Sequence, residues 1–125
     1  MITLRDAGLV FLGGGLGAVL RFLAAAALPK AQTQGFPVAI LLVNLIGCFV
    51  LGLIVGAAAR AQGLPRTWTT FLGVGVCGGF TTFSTFGIDA LELFEEGRWL
   101  ALSSYVLGSV VGGIVAAALG VVVAR

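Results

Sequence analysis

Residues 73–86 read GVGVCGGFTTFSTF, and the fold turns on how that string sits in a bilayer. It lies within an apolar run long enough to cross a membrane, yet it carries the glycine pair Gly78 and Gly79 and four hydroxyl residues, Thr81, Thr82, Ser84 and Thr85. Glycine weakens a helix by about 1 kcal/mol relative to alanine, and Ser and Thr hydroxyls compete for its backbone carbonyls. The string therefore predicts a spanning helix that breaks between Gly78 and Thr82. In hydrocarbon an unpaired backbone group costs several kcal/mol, so unwound chain is tolerated only where protein buries it or where it lines a cavity. A break here predicts an ion site or a pore.

The composition around the string agrees with a membrane setting. Of 125 residues, 59% are hydrophobic and only 10% charged, far from the balance of a soluble domain. Apolar segments fall at residues 7–28, 37–59, 68–88 and 99–124. Each exceeds the roughly 20 helical residues that cross a core of about 30 Å. The expected fold is an all-α integral membrane protein of four transmembrane helices, the third broken near its middle, with residues 1–125 as one membrane domain. The connections leave no room for a soluble catalytic domain, and no base, nucleophile and orienting group occur together, so the chain does not read as an enzyme. A signal-peptide reading of the first 27 residues, with Arg5 as the basic region and the alanines before Pro29 as the cleavage site, fits less well, because the run is long and carries Arg21. Cys48 and Cys77 fall inside spans and read as buried thiols; with no histidine in the chain, they make neither a disulfide framework nor a transition-metal motif.

Glycines repeat at a spacing of four in the pairs Gly13 and Gly17, Gly52 and Gly56, Gly75 and Gly79, and Gly108 and Gly112, a pattern that lets helix backbones approach closely. Gly73, Gly75 and Gly78 also satisfy GxGxxG, but no strand precedes them and the segment is membranous, which excludes a nucleotide loop. Trp68 and Trp99 stand where interfacial aromatics lie. The acidic run holding Asp89, Glu92, Glu95 and Glu96 reads as a solvated face that carries the third helix out into water.

Four spans put Arg5, Arg60, Arg66 and Arg125 on one side, and Lys30 and Arg98, with Arg21 close by, on the other. So even a split gives the positive-inside rule little to act on. Such a chain can insert both ways round, and two inverted copies can pair about a two-fold axis in the membrane plane. Depth points the same way. Counted from the Lys30 side, Arg21, Asn44, Phe83 and Tyr105 all fall about 8 to 11 Å inside their spans at about 1.5 Å per residue. This polar layer is off centre, so one chain supplies half a path and an inverted copy the other half.

The chemistry of the layer has a sign. Arg21 is a cation, Asn44 offers amide donors, and Thr, Ser and Tyr hydroxyls can donate. No Asp or Glu lies within the four spans as drawn. A positive residue with donors and no carboxylate suits a small anion. Phe83 and Phe86 share a helical face and present positive ring edges that can meet an anion, though plain packing accounts for the same spacing. Arg21 either snorkels to the surface or lies at a vestibule. Ser109, one turn from Tyr105, continues its line toward the midplane.

GGFTTFSTF at residues 78–86, NLIGCFVLG at 44–52, GGGLGAVLRF at 13–22 and YVLGS at 105–109 together resemble the fluoride channel family called Fluc or CrcB. The resemblance covers the whole chain. It implies a dual-topology antiparallel homodimer in the plasma (inner) membrane, with two fluoride pores and a central sodium ion. By motif, the sodium ligands would be the backbone carbonyls of Gly78 and Thr81. Phe83, Phe86 and Asn44 would line the fluoride path, Thr82, Ser84, Thr85, Tyr105 and Ser109 would be candidates for a hydroxyl track, and Arg21 would sit at the vestibule. The rival is a small multidrug-type four-helix transporter. That activity needs a membrane-embedded carboxylate, and the sequence offers only Asp89 at a span's edge.

Overall fold

Thr3 starts the first helix. Its side chain accepts the Asp6 amide while the Asp6 carboxylate reaches back to the Thr3 amide, a reciprocal cap that satisfies two otherwise orphaned donors. The structure is a computed structural model that describes all 125 residues. From that cap α1 runs over Leu4–Ala27, and a short 3₁₀ turn at Lys30–Thr33 leads into α2, Val38–Ala58. The third span comes in two pieces, α3 (residues 66–80) and α4 (Phe83–Glu95), and α5 covers Trp99–Ala124. Four stretches, Leu4–Ala27, Val38–Ala58, Arg66–Glu95 and Trp99–Ala124, are long and apolar enough to cross a membrane, which makes this a multi-pass protein of the plasma (inner) membrane.

The break falls on Thr81 and Thr82. Both are extended, with φ/ψ of −78°/156° and −150°/122°. Gly78 and Gly79 stay helical, so the glycine pair borders the break without forming it. Ahead of it, Thr69–Cys77 winds as a π-helix, a loosening that the composition of the segment does not announce and that tends to occur at functional sites.

Two helix pairs carry the packing, both through glycine. A Cβ on Gly13 would come within 3.0 Å of the Gly75 Cα, and one on Gly17 within 2.7 Å of the Phe80 amide; α1 thus lies directly on the backbone of α3. Between α2 and α5 the same close approach runs through Gly52, Gly56 and Gly120, whose absent side chains leave room for the carbonyls of Ala117, Val121 and Phe49. Without a hydrophobic drive in lipid, such close approach is what holds spanning helices together. Gly108 takes no part in it, having only Leu41 within reach at 3.8 Å.

One expectation is overturned. Asp89, read as part of a solvated acidic face at the end of the third span, is only 3% exposed. The helix continues to Glu95, and Asp89 faces inward with Leu93 while Glu92, Glu95 and Glu96 face out. The third span therefore does contain a carboxylate.

Candidate functional site

An extended pair of residues in the middle of a spanning helix must find partners for its amides and carbonyls, and Asn44 on α2 supplies those of Thr82. Its Nδ2 donates to the Thr82 carbonyl at 3.0 Å, and its Oδ1 accepts the Thr82 amide at 2.8 Å. One side chain thus stands in for a neighbouring strand. The Thr82 hydroxyl accepts the Thr85 amide at 3.2 Å and caps α4, with the Ser84 and Thr85 hydroxyls at 3.2 and 3.1 Å from it. On the other side of the break, both the amide and the hydroxyl of Thr81 donate to the Cys77 carbonyl at 3.0 Å. Gly47 on α2 is a glycine because the Thr81 methyl occupies the space where its side chain would lie.

These bonds change the state of two carbonyls. In an unbroken helix Gly78 O would accept the Thr82 amide and Thr81 O the Thr85 amide. The first amide is committed to Asn44 and the second to the Thr82 side chain. Gly78 is exposed, with open space beside it. Two carbonyl oxygens without their helical donors are hard ligands of the kind that a small cation accepts. Between them, the Gly79 carbonyl is bonded by Arg21 Nε at 3.2 Å. Arg21 is thereby half-buried against the break and does not snorkel freely.

A cleft of about 740 Å³ opens beside the break, and Asn44, Gly78, Thr81, Thr82, Phe83, Phe86 and Ser109 line it together. Phe83 stands out from α4, 82% exposed, with its ring centroid 5.5 Å from that of Phe86. The Ser109 hydroxyl is buried without a hydrogen-bond partner, an arrangement that costs about 1 to 3 kcal/mol unless a ligand completes it. Of the remaining residues expected at the site, Ser84 faces outward, Thr85 turns back to Thr82, and Arg21 lies behind the break. Tyr105 is fully buried outside the cleft. Its ring lies 5.1 Å from Phe86 and its hydroxyl donates to Asp89 at 3.2 Å.

Asp89 and Lys30 are the residues that the sequence did not reveal. Lys30 Nζ sits 2.6 Å from Asp89 Oδ1 and 2.5 Å from Glu92 Oε2. Desolvation is the largest single influence on Lys30 and works against its charge, but the hydrogen bonds and charges of Asp89 and Glu92 together outweigh it and hold the ammonium above the ordinary lysine range. The signal in the sequence was the spacing of Asp89, three residues after Phe86 and four before Leu93, which puts it on the inward face of α4.

Residues 8–121 match the family profile described as CrcB-like protein, Camphor Resistance (CrcB). The chain belongs to the CrcB family. It is 45% identical over 108 residues to the "Fluoride-specific ion channel FluC" of Methylobacterium nodulans, covering 84% of both chains. It is 43% identical over 117 residues to the protein of that name from Prosthecochloris aestuarii, covering 94% of this chain and 91% of the relative. To that from Azobacteroides pseudotrichonymphae it is 37% identical over 117 residues, 94% of each chain. The break, the Asn44 clasp and the cleft of this CrcB-family chain all fall inside the matched region.

Proposed function

We propose that this chain is a fluoride-selective channel that lets cytoplasmic fluoride leave passively down its electrochemical gradient, conferring fluoride resistance, and that it works as an antiparallel, dual-topology homodimer. The observation that carries the reading is the cleft beside the clasped break, where amide, hydroxyl and ring-edge groups converge in a chain of the CrcB family whose compared relatives are named fluoride-specific channels. Fluoride is small and strongly hydrated, so a pore must replace water with close donors without holding the ion too tightly. Asn44, through its second amide hydrogen, and Ser109 offer modest donors, with Thr82 lining the route between them, and the rings of Phe83 and Phe86 offer positive edges. Ser84, Thr85 and Tyr105 contribute by holding the break and the rings, and Arg21 contributes positive charge near the vestibule. HF enters a cell from an acidic exterior and dissociates inside; the inside-negative potential then drives the anion out with no energy-coupling domain.

The dimer rests on what one chain leaves uncovered. Exposed Ser84 and the exposed Gly78 backbone, together with an open-sided cleft at membrane depth, would set polar groups against lipid in a lone copy, at a cost that a second copy removes. The balance of cations between the two sides permits that copy to be inverted. Sodium suits the Gly78 and Thr81 carbonyls, and a two-fold axis beside the break would share it between copies. When bound, it supplies positive charge near the anion route; the chain's part is to present those carbonyls, which Asn44 and Thr82 do by taking up the competing amides. The multidrug-type alternative needs a membrane-embedded carboxylate, and the one that the fold buries, Asp89, is already neutralised by Lys30 and bonded by Tyr105.

Liposomes loaded with potassium fluoride or potassium chloride and triggered with valinomycin test the reading. Rapid fluoride release without chloride release, abolished by replacing Phe83 and Phe86 together with isoleucine, is the expected result. Absence of release from folded wild-type protein would overturn it.

A further inference from the structure

Asp89 is the one charged residue that the fold buries, and it stands at an awkward place for an anion route. The aromatic series that begins at exposed Phe83 passes through Phe86 to Tyr105, with centroids 5.5 and 5.1 Å apart, and ends where Tyr105 Oη meets Asp89 Oδ2 at 3.2 Å. A bare carboxylate here would set a negative charge at the end of that series, in surroundings that screen little.

The surrounding charges leave one residue to answer it. Lys30, on the short turn between α1 and α2, places Nζ 2.6 Å from Asp89 Oδ1, and its side chain is 39% exposed against 4% for that of Asp89. Glu92, on the same helix as Asp89, shares the ammonium, but its side chain is 52% exposed and its charge is screened by water. Arg98, the other loop cation at this end, is taken up by Glu96 at 3.3 Å, and Arg21 on α1 is committed to the Gly79 carbonyl. From α5 the group facing Asp89 is the neutral phenol of Tyr105.

We infer that Lys30 is a positioning residue for permeation: its ammonium cancels the Asp89 charge at the Lys30-side mouth, so that an anion can pass beside Phe83 and Phe86. The inference rests on the proposed reading of the chain as an anion channel. Lys30 makes no contact with the cleft; it acts through Asp89. Asp89 in turn keeps one oxygen for the Tyr105 hydroxyl and so fixes the ring that stacks on Phe86.

The test is fluoride release from liposomes holding the full chain as wild type, Lys30→Arg, Lys30→Gln, Asp89→Asn and the Lys30→Gln/Asp89→Asn double variant. Lys30→Arg keeps the charge and is expected to release fluoride at nearly the wild-type rate. Lys30→Gln leaves the carboxylate unanswered and slows release by about tenfold or more. The double variant, in which the side-chain amide oxygen at position 89 still accepts from Tyr105, recovers most of the lost rate. A purely structural role for Lys30 predicts that release falls and recovers only in step with the melting temperature, because an unanswered buried carboxylate also destabilises; slowed release from a Lys30→Gln variant that melts as wild type does assigns the effect to charge. A Lys30→Gln rate equal to wild type, or a double variant no faster than Lys30→Gln, overturns the inference while wild-type release leaves the channel reading standing. No release from wild type overturns the channel reading itself. If Lys30→Gln does not fold, Asp89→Asn decides alone: release at or above the wild-type rate supports the inference, and a tenfold loss overturns it.

Discussion

Asn44 and Ser109 line the same cleft, yet their substitution should separate stability from conduction. Asn44 makes two hydrogen bonds to one extended residue. In Asn44→Asp the amide donor is replaced by a carboxylate oxygen facing the Thr82 carbonyl, which leaves two acceptors in opposition. The expected result is a loss of about 1 to 3 kcal/mol in stability, seen as a lower melting temperature in detergent, together with loss of fluoride release. Ser109→Ala removes a hydroxyl that no protein group satisfies. Its melting temperature should match or slightly exceed that of wild type while fluoride release slows; unchanged release would take Ser109 off the route. Lys30 carries the pH argument. Its ammonium titrates above the ordinary value of 10.5, so its contribution to stability is fully present below that value and is lost only as pH rises through the higher folded value. Melting temperatures across neutral and mildly alkaline pH should show no step that Lys30→Gln removes, and such a step should appear only in strong alkali.

At the scale of elements, the close approach of α1 to α3 sets how firmly the break is held. A methyl on Gly17 would meet the Phe80 amide at 2.7 Å and the Val76 carbonyl closer still. Backbone atoms cannot step aside as a flexible side chain can, so Gly17→Ala should destabilise by about 1 to 3 kcal/mol and loosen the Arg21 bond to Gly79. Gly8→Ala, with nothing within 4 Å, should hold or raise the melting temperature, because alanine favours the helix by about 1 kcal/mol; a gain in Gly17→Ala as well would mean that helix propensity and not contact governs. These glycine contacts were legible because small residues at a spacing of four have one common use in lipid, and the break was legible because glycine and threonine act on their own backbone. The π-helical winding of Thr69–Cys77 was not, since its residues also suit an α-helix. Nor was the bond from Arg21 to Gly79, because a backbone carbonyl leaves no mark in a sequence. Asp89 was misread because its acidic neighbours are solvated, while Lys30 and Tyr105 reach it from other elements.

For the whole molecule, orientation is the property on which the proposed assembly depends. Seven cations distributed almost evenly about the four spans place this chain where a small excess of lysine on either side decides which way it inserts. The proposed dimer needs both orientations in one membrane. Lysines appended after Arg125 should bias every copy toward a cytoplasmic C-terminus, and lysines added in the loop that carries Lys30, away from Asp89 and Glu92, should bias every copy the other way. Each biased chain alone should insert with a single topology, read by the accessibility of a terminal tag, and should fail to protect fluoride-sensitive cells. Expressed together, the two should restore protection, because each supplies the inverted copy that the other lacks. Full protection by one biased chain alone, with its single orientation verified, would mean that parallel copies or a lone chain conduct, and the covering of Phe83 and the open cleft would then have to come from lipid or from a parallel neighbour. Co-expression thus tests a property that neither the break nor the clasp can reveal, since both are complete within one chain while the proposed route calls for two.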